Sequence, residues 1–155
     1  MLKGDGITSA LAAAAGDIAC SRPPPGRESW RIEIAALVAS TTSADKRTRY
    51  LSLRDAAVST SGDAEQHLDV SSRHYSHIIN PATGMALTGR HSVTVVAPRG
   101  ITADSYAVAV CVLGPKPKRG LELIDSTNGT AALIVEESRE GVRHFESRRP
   151  LPYRN

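Results

Sequence analysis

Aromatic residues are scarce: one Trp, one Phe and four Tyr make up 4% of 155 residues. A core must therefore rest on Ala, Val, Ile and Leu. A nucleic-acid surface that interleaves bases with aromatic rings also has little material to draw on. Cysteine is scarcer still. Cys20 and Cys111 are too few and too far apart to form a disulfide framework. Cys111 lies in an apolar helical pattern and reads as a small buried hydrophobe. No run of 18 apolar residues is present, so no membrane-spanning helix is expected. Nor is there a Gly-x-Ser-x-Gly elbow, a Walker sequence or a dinucleotide Gly-x-Gly-x-x-Gly. The alanine-rich stretch near the start runs into Gly16-Asp17 without a small-x-small cleavage site, so it does not read as a signal peptide and the chain as written reads as soluble and cytoplasmic.

What is present suits an ordinary globular domain. Hydrophobic residues make up 41% and charged residues 23% of the chain. The net charge of +3 comes from scattered arginines and a small cluster at Arg143, Arg148 and Arg149. That is not the dense basic stripe of a nucleic-acid binder. The length suits one domain over residues 1–155, large enough for a real core.

Periodicity places the elements. Residues 7–20 (ITSALAAAAGDIAC) fit helix or strand, because alanine favours helix while Gly16-Asp17 interrupts the run. After the connector SRPPPGRES, Trp30-Arg31-Ile32-Glu33-Ile34 alternates with the period of a half-buried strand, and residues 10–20 are the expected antiparallel partner. Residues 39–48 read as a polar loop. Tyr50–Leu53 alternates again, with Ala56–Ser59 as its continuation and Thr60–Asp63 as a turn. Ser92–Ala97 is the clearest strand. Residues 102–113 read as a helix with Thr102 as N-cap and Gly114-Pro115 as its stop, and residues 118–126 as a second, shorter helix. Ala131–Glu136 and Val142–Glu146 read as a closing hairpin around Glu140-Gly141. The sum is α+β, a mostly antiparallel sheet with helices packed on one side.

Several residues could carry chemistry. Asp104 stands at the expected start of an otherwise apolar helix. A carboxylate there is compatible with one ligand of a hard cation such as Mg²⁺, which takes oxygen donors and keeps water and phosphate in its shell. It equally suits plain compensation of the helix dipole. His77 precedes an Asn-Pro-x-Thr-Gly turn, and an imidazole there suits a base in a cleft or a solvated histidine. His74 and His77 are three residues apart with His67 nearby, but no Cys or Glu stands at matching spacing and no zinc site is expected. Thr60-Ser61-Gly62 could cradle a phosphate, or form an ordinary turn.

The order of these segments resembles the C-terminal half of the ApbE family, the FAD:protein FMN transferases. Gly6–Leu11 through Ala15-Gly16-Asp17-Ile18 is similar to the family's segment ending in Gly-Gly-Asp-Ile, and Trp30–Ile34 to the strand after it. Ala57–Asp63 resembles its Thr-Ser-Gly-Asp turn. His77-Ile78-Ile79-Asn80-Pro81-Ala82-Thr83-Gly84 resembles its His-x-Ile-Asp/Asn-Pro-x-Thr-Gly motif. Ser92–Val95 and Ala103-Asp104 resemble the strand and metal-binding helix that follow.

The resemblance implies a Mg²⁺-assisted enzyme that splits FAD and passes FMN to a Thr side chain of an acceptor flavoprotein. It places His77 at the reacting centre, Ile79, with Ser61, Gly62 and His77, against the flavin substrate, and Asp104 on the metal. Two departures stand out. Family members usually carry Thr four residues after the helix Asp, where this chain has Val108. The family's N-terminal half, with an Ala-Lys-Gly-x-x-x-Asp segment, is expected to be absent. The chain alone is then expected to be an incomplete transferase. The alternatives are a non-enzymatic remnant or half-protein that binds flavin weakly or not at all, or one part of a split enzyme that works with a separate N-terminal half; self-association is expected as well.

Overall fold

A computed structural model of the chain describes residues 4–34, 49–62, 67–71, 73–114, 116–138 and 140–153. Eleven strands and two helices are assigned among them. Leu11–Ala14 (β1) and Asp17–Cys20 (β2) form a hairpin, closed by Ala15 and Gly16, both at positive φ of 47° and 97°. That turn resolves the ambiguity of the alanine-rich segment in favour of strand: two consecutive residues with φ above zero cannot continue a helix and match the tight hairpin geometry. β2 then pairs with Ala56–Gly62 (β5), β5 with Arg90–Ala97 (β9), β9 with Ala131–Ser138 (β10), and β10 with Gly141–Glu146 (β11). All these pairings are antiparallel and give one six-stranded sheet in the order β1-β2-β5-β9-β10-β11.

Alternation along β9 and β10 divides the core between the two faces of this sheet. On one face Val93, Val95, Ala132 and Ile134 meet Ala107, Val110 and Cys111 of the helix Gly100–Leu113 (α1), and Ile124 of the helix Pro117–Asp125 (α2). Small residues bring α1 close: Ala57, Ala97 and Ala103 form their own buried cluster. On the other face Val58, Val96, Leu133 and Val135 meet Ile32, Ile34, Leu51 and Leu53. Those four belong to Trp30–Ile34 (β3) and Arg49–Leu53 (β4), a separate two-stranded sheet. The helices thus sit on one side of a mostly antiparallel sheet, as expected.

Two expectations about the strands differ. β3 pairs with β4, not with residues 10–20. Alternation identifies a strand but not its partner. Residues 50–59 are also not one strand: Asp55, at φ 47°, turns the chain from β4 into β5 and from one sheet to the other. The expected loop over 39–48, as well as Asp63 and Pro115, lies outside the described residues.

A third, smaller sheet carries the histidine segment. His67–Val70 (β6), Arg73–Ile79 (β7) and Ala86–Thr88 (β8) form an antiparallel meander, docked on α1 through buried Ile78. Among the described residues no helix is long and apolar enough to cross a membrane.

Candidate functional site

The helix α1 is the common support of the expected site residues. Its inner face presents Ala103, Ala107, Val110 and Cys111. Cys111 packs in one cluster with Ile78 of β7, and its thiol lies 3.7 Å from the backbone oxygen of Ser61 on β5. The element therefore joins the strand bearing Ser61 and Gly62 to the strand bearing His77 and Ile79.

Ser61 and Gly62 are strand residues, not a free phosphate-cradling turn. They close β5 opposite Val93 and Ser92. A Cβ at Gly62 would lie 2.5 Å from the backbone oxygen of His91 and 2.8 Å from Ser92 Cα. The glycine thus has a packing reason of its own: it lets β5 and β9 approach. Ser61 alternates with Ala57 toward the side on which α1 packs.

His77 is also in a strand. Over Ser76–Ile79 the burial alternates, so Ser76 and Ile78 face inward while His77 and Ile79 face solvent. The following motif is a tight turn with its own hydrogen bonds. The Asn80 side-chain oxygen accepts from Ala82 N at 2.9 Å, and its backbone oxygen accepts from Gly84 N at 2.8 Å. Gly84 takes φ 68°, a left-handed conformation that glycine adopts at little cost. The Thr83 hydroxyl accepts from Met85 N at 3.3 Å, and Asn80 N donates to Met85 O at 2.8 Å. Asn, Thr and Gly at these spacings are thus explained by the β7–β8 connection, which holds the His77-x-Ile79 edge in place.

Asp104 differs from its expected setting. Thr102 does not cap the helix: Arg99 is the N-cap, and Ala103 N already donates to the Arg99 carbonyl at 3.1 Å. Asp104 is therefore the fifth helical residue, with no acidic residue in the first turn. Dipole effects fall off within that turn, which weakens simple dipole compensation as the reason for this carboxylate. It is exposed and makes no ion pair with a described residue. Ile101, Asp104, Ser105 and Val108 form an exposed stripe at i, i+3, i+4 and i+7, opposite the buried one. As a magnesium site this is partial. Asp104 would supply one hard oxygen and Val108, one turn on, none, so water and substrate phosphate would have to complete the shell.

Both cysteines are buried and neither is in a disulfide. Burial pushes the Cys20 thiol up, which Asp55 reinforces against a backbone hydrogen bond to Ala56, and this disfavours the reactive thiolate. A constellation not expected from sequence is His67, Asp69 and His74 on the β6–β7 hairpin. Strand pairing, not sequence spacing, brings the three together.

The chain matches the model of the ApbE family over residues 1–134. It is 31% identical over 127 residues to the FAD:protein FMN transferase of Vibrio cholerae, covering 80% of this chain and 36% of that protein. It is 41% identical over 86 residues to the FAD:protein FMN transferase of Treponema pallidum, covering 55% of this chain and 23% of that one. Among solved structures it is similar to the flavinyl transferase ApbE of Pseudomonas stutzeri, with a TM-score of 0.73 and 32% identity. It is also similar to the ApbE protein of Thermotoga maritima, with a TM-score of 0.75 and 30% identity. These superpositions cover 95% of this chain and 44% and 45% of the two structures. The chain thus spans less than half the length of these relatives.

Proposed function

Because the chain belongs to the ApbE family, we propose that it forms the part of an FAD:protein FMN transferase that bears His77, Ile79 and Asp104. The observation that supports this most is the match across residues 1–134 together with the outward placement of these three side chains. A buried arrangement would have left them no access to a substrate.

In this reading the Thr hydroxyl of an acceptor flavoprotein attacks the FMN-side phosphorus of FAD. A Thr O–P bond forms, the diphosphate P–O bond breaks, and AMP leaves. His77 takes the hydroxyl proton. Ile79, two residues along on the same exposed face of β7, offers an apolar contact to the flavin. Ser61 and Gly62 would border the substrate from the end of β5, where Gly62 keeps the strand close to β9. Asp104 contributes one carboxylate oxygen to Mg²⁺, which would neutralise phosphate charge when bound. The rest of the family fold, on the same polypeptide or on a separate chain, closes the FAD cleft over the open face of α1.

A second reading has its own observation. Val108 is exposed one turn from Asp104 and brings no oxygen to that cation position. The chain would then take part in flavin binding without transfer.

The test is FAD titration, by quenching of flavin fluorescence, of the chain with the rest of the family fold supplied. Saturable binding weakened several-fold by Ile79→Ala supports the placement of the flavin. Binding that Ile79→Ala leaves unchanged overturns it.

A further inference from the structure

We propose that His67, Asp69 and His74 form a binding site for a borderline divalent transition-metal ion, Zn²⁺ or a close N/O-binding neighbour, distinct from any site at Asp104.

The register builds the cluster. β6 and β7 pair with Asp69 opposite His74 and His67 opposite Ser76. Directly opposed residues share a face, and residues two apart on one strand share it too. His67, Asp69 and His74 therefore project from the same side of the hairpin. The Asp69 carboxylate reaches both rings: one oxygen is 2.8 Å from His74 Nδ1, the other 3.9 Å from His67 Nε2. The ring centroids are 4.3 Å apart, and one donor atom from each residue lies within 4.8 Å of the other two. Ligands bound to one ion at about 2.0–2.1 Å stand roughly 3 Å apart. His74 and Asp69 already have this spacing. His67, whose donor lies within 4.8 Å of the other two, has to close by roughly 1–2 Å to reach that spacing.

The donor set selects the ion class. Two imidazole nitrogens and one carboxylate suit Zn²⁺, Ni²⁺, Co²⁺ or Cu²⁺, whereas Mg²⁺ and Ca²⁺ take oxygen. Three protein ligands leave a coordination position for water or another ligand. His77 and Ile79 lie on the opposite face of β7, so the ion would sit across the strand from the flavin-facing edge. All four residues of β6 are exposed and its assigned strand partner is β7. A cation joining the two would fasten this outer strand and hold β7 at its hairpin end.

A plain reading of the same geometry is that Asp69 only hydrogen-bonds His74. Calorimetric titration of the whole chain with Zn²⁺, in excess Mg²⁺, separates the two. We expect one saturable site per chain, weakened at least tenfold by His67→Gln as well as by Asp69→Asn, and unchanged by His144→Gln, a histidine on β11 outside the cluster. His67→Gln decides, because it leaves the 2.8 Å Asp69–His74 bond in place. Should these variants fold poorly, Co²⁺ added to the unaltered chain gives a second readout: paramagnetic broadening of the His67 and His74 imidazole resonances ahead of those of the other histidines. Absence of saturable Zn²⁺ binding overturns the proposal. So does equal loss in His144→Gln, or Co²⁺ broadening centred on other residues.

Discussion

Gly62 and His91 approach so closely that a single methyl on the former would lie 2.5 Å from the backbone oxygen of the latter. The contact is with backbone on the adjacent strand, which cannot rotate away. Gly62→Ala should therefore destabilise the domain by about 1–3 kcal/mol, the usual cost of overpacking. Chemical denaturation checks this: a midpoint within error of the unsubstituted chain would show that β5 and β9 can separate without cost.

Asp104 and Val108 share the open stripe of α1. Thr is close to Val in shape, so Val108→Thr adds an oxygen where the family pattern has one, with little change in volume. Mg²⁺ affinity should rise, and adding Asp104→Ala should abolish the gain. Calorimetric Mg²⁺ titration with FAD and the rest of the fold present reads both. If Val108→Thr binds Mg²⁺ no better, the metal role of Asp104 falls.

The Tyr153 hydroxyl donates to Glu146 at 2.8 Å and accepts from Arg49 at 3.4 Å. Its pKa is pushed up to about 12, first by burial and then by the hydrogen bond and negative charge of Glu146, which outweigh Arg49. The fold thus favours the neutral phenol. That contribution is full below about pH 10, where the unfolded phenol is also neutral. It fades as pH rises from there to about 12. Ultraviolet titration should show a late tyrosine ionisation, and Tyr153→Phe should remove that step. An unchanged titration in Tyr153→Phe would contradict the assignment.

Ile101 is 67% and Val108 37% exposed on the face of α1 opposite its buried stripe. Two apolar side chains exposed beside Asp104 and Ser105 form a mixed patch that a partner surface could cover. Without a covering partner, the chain should self-associate at high concentration, and Ile101→Lys should reduce this. Sedimentation that finds a clean monomer at every concentration would argue against an interface there.

Much of the main sheet was legible from sequence because its strands obey simple alternation. Ser92–Ala97, the Ala131–Glu146 hairpin and both helices fall where periodicity puts them, within a few residues at each end. The misses have separate physical causes. Trp30–Ile34 reads as a strand, but alternation does not name Arg49–Leu53 as its partner across 14 intervening residues. The strand of His77 was hidden because its inward face includes a buried Ser76 and its outward face an exposed Ile79, the reverse of the usual contrast. The same gap concealed the His67–Asp69–His74 cluster, which exists only through the β6–β7 register. The expected N-cap at Thr102 failed because the N-cap is Arg99, three residues earlier, a shift that moved Asp104 out of the first turn.

The transfer reaction itself tests the central claim most directly. With the rest of the family fold, FAD, Mg²⁺ and an acceptor flavoprotein supplied, mass spectrometry of the acceptor should show FMN joined to a threonine. His77→Ala should slow the transfer about 10²–10⁴-fold, the usual contribution of a general base, while FAD binding persists. Transfer at an unchanged rate in His77→Ala would contradict the account.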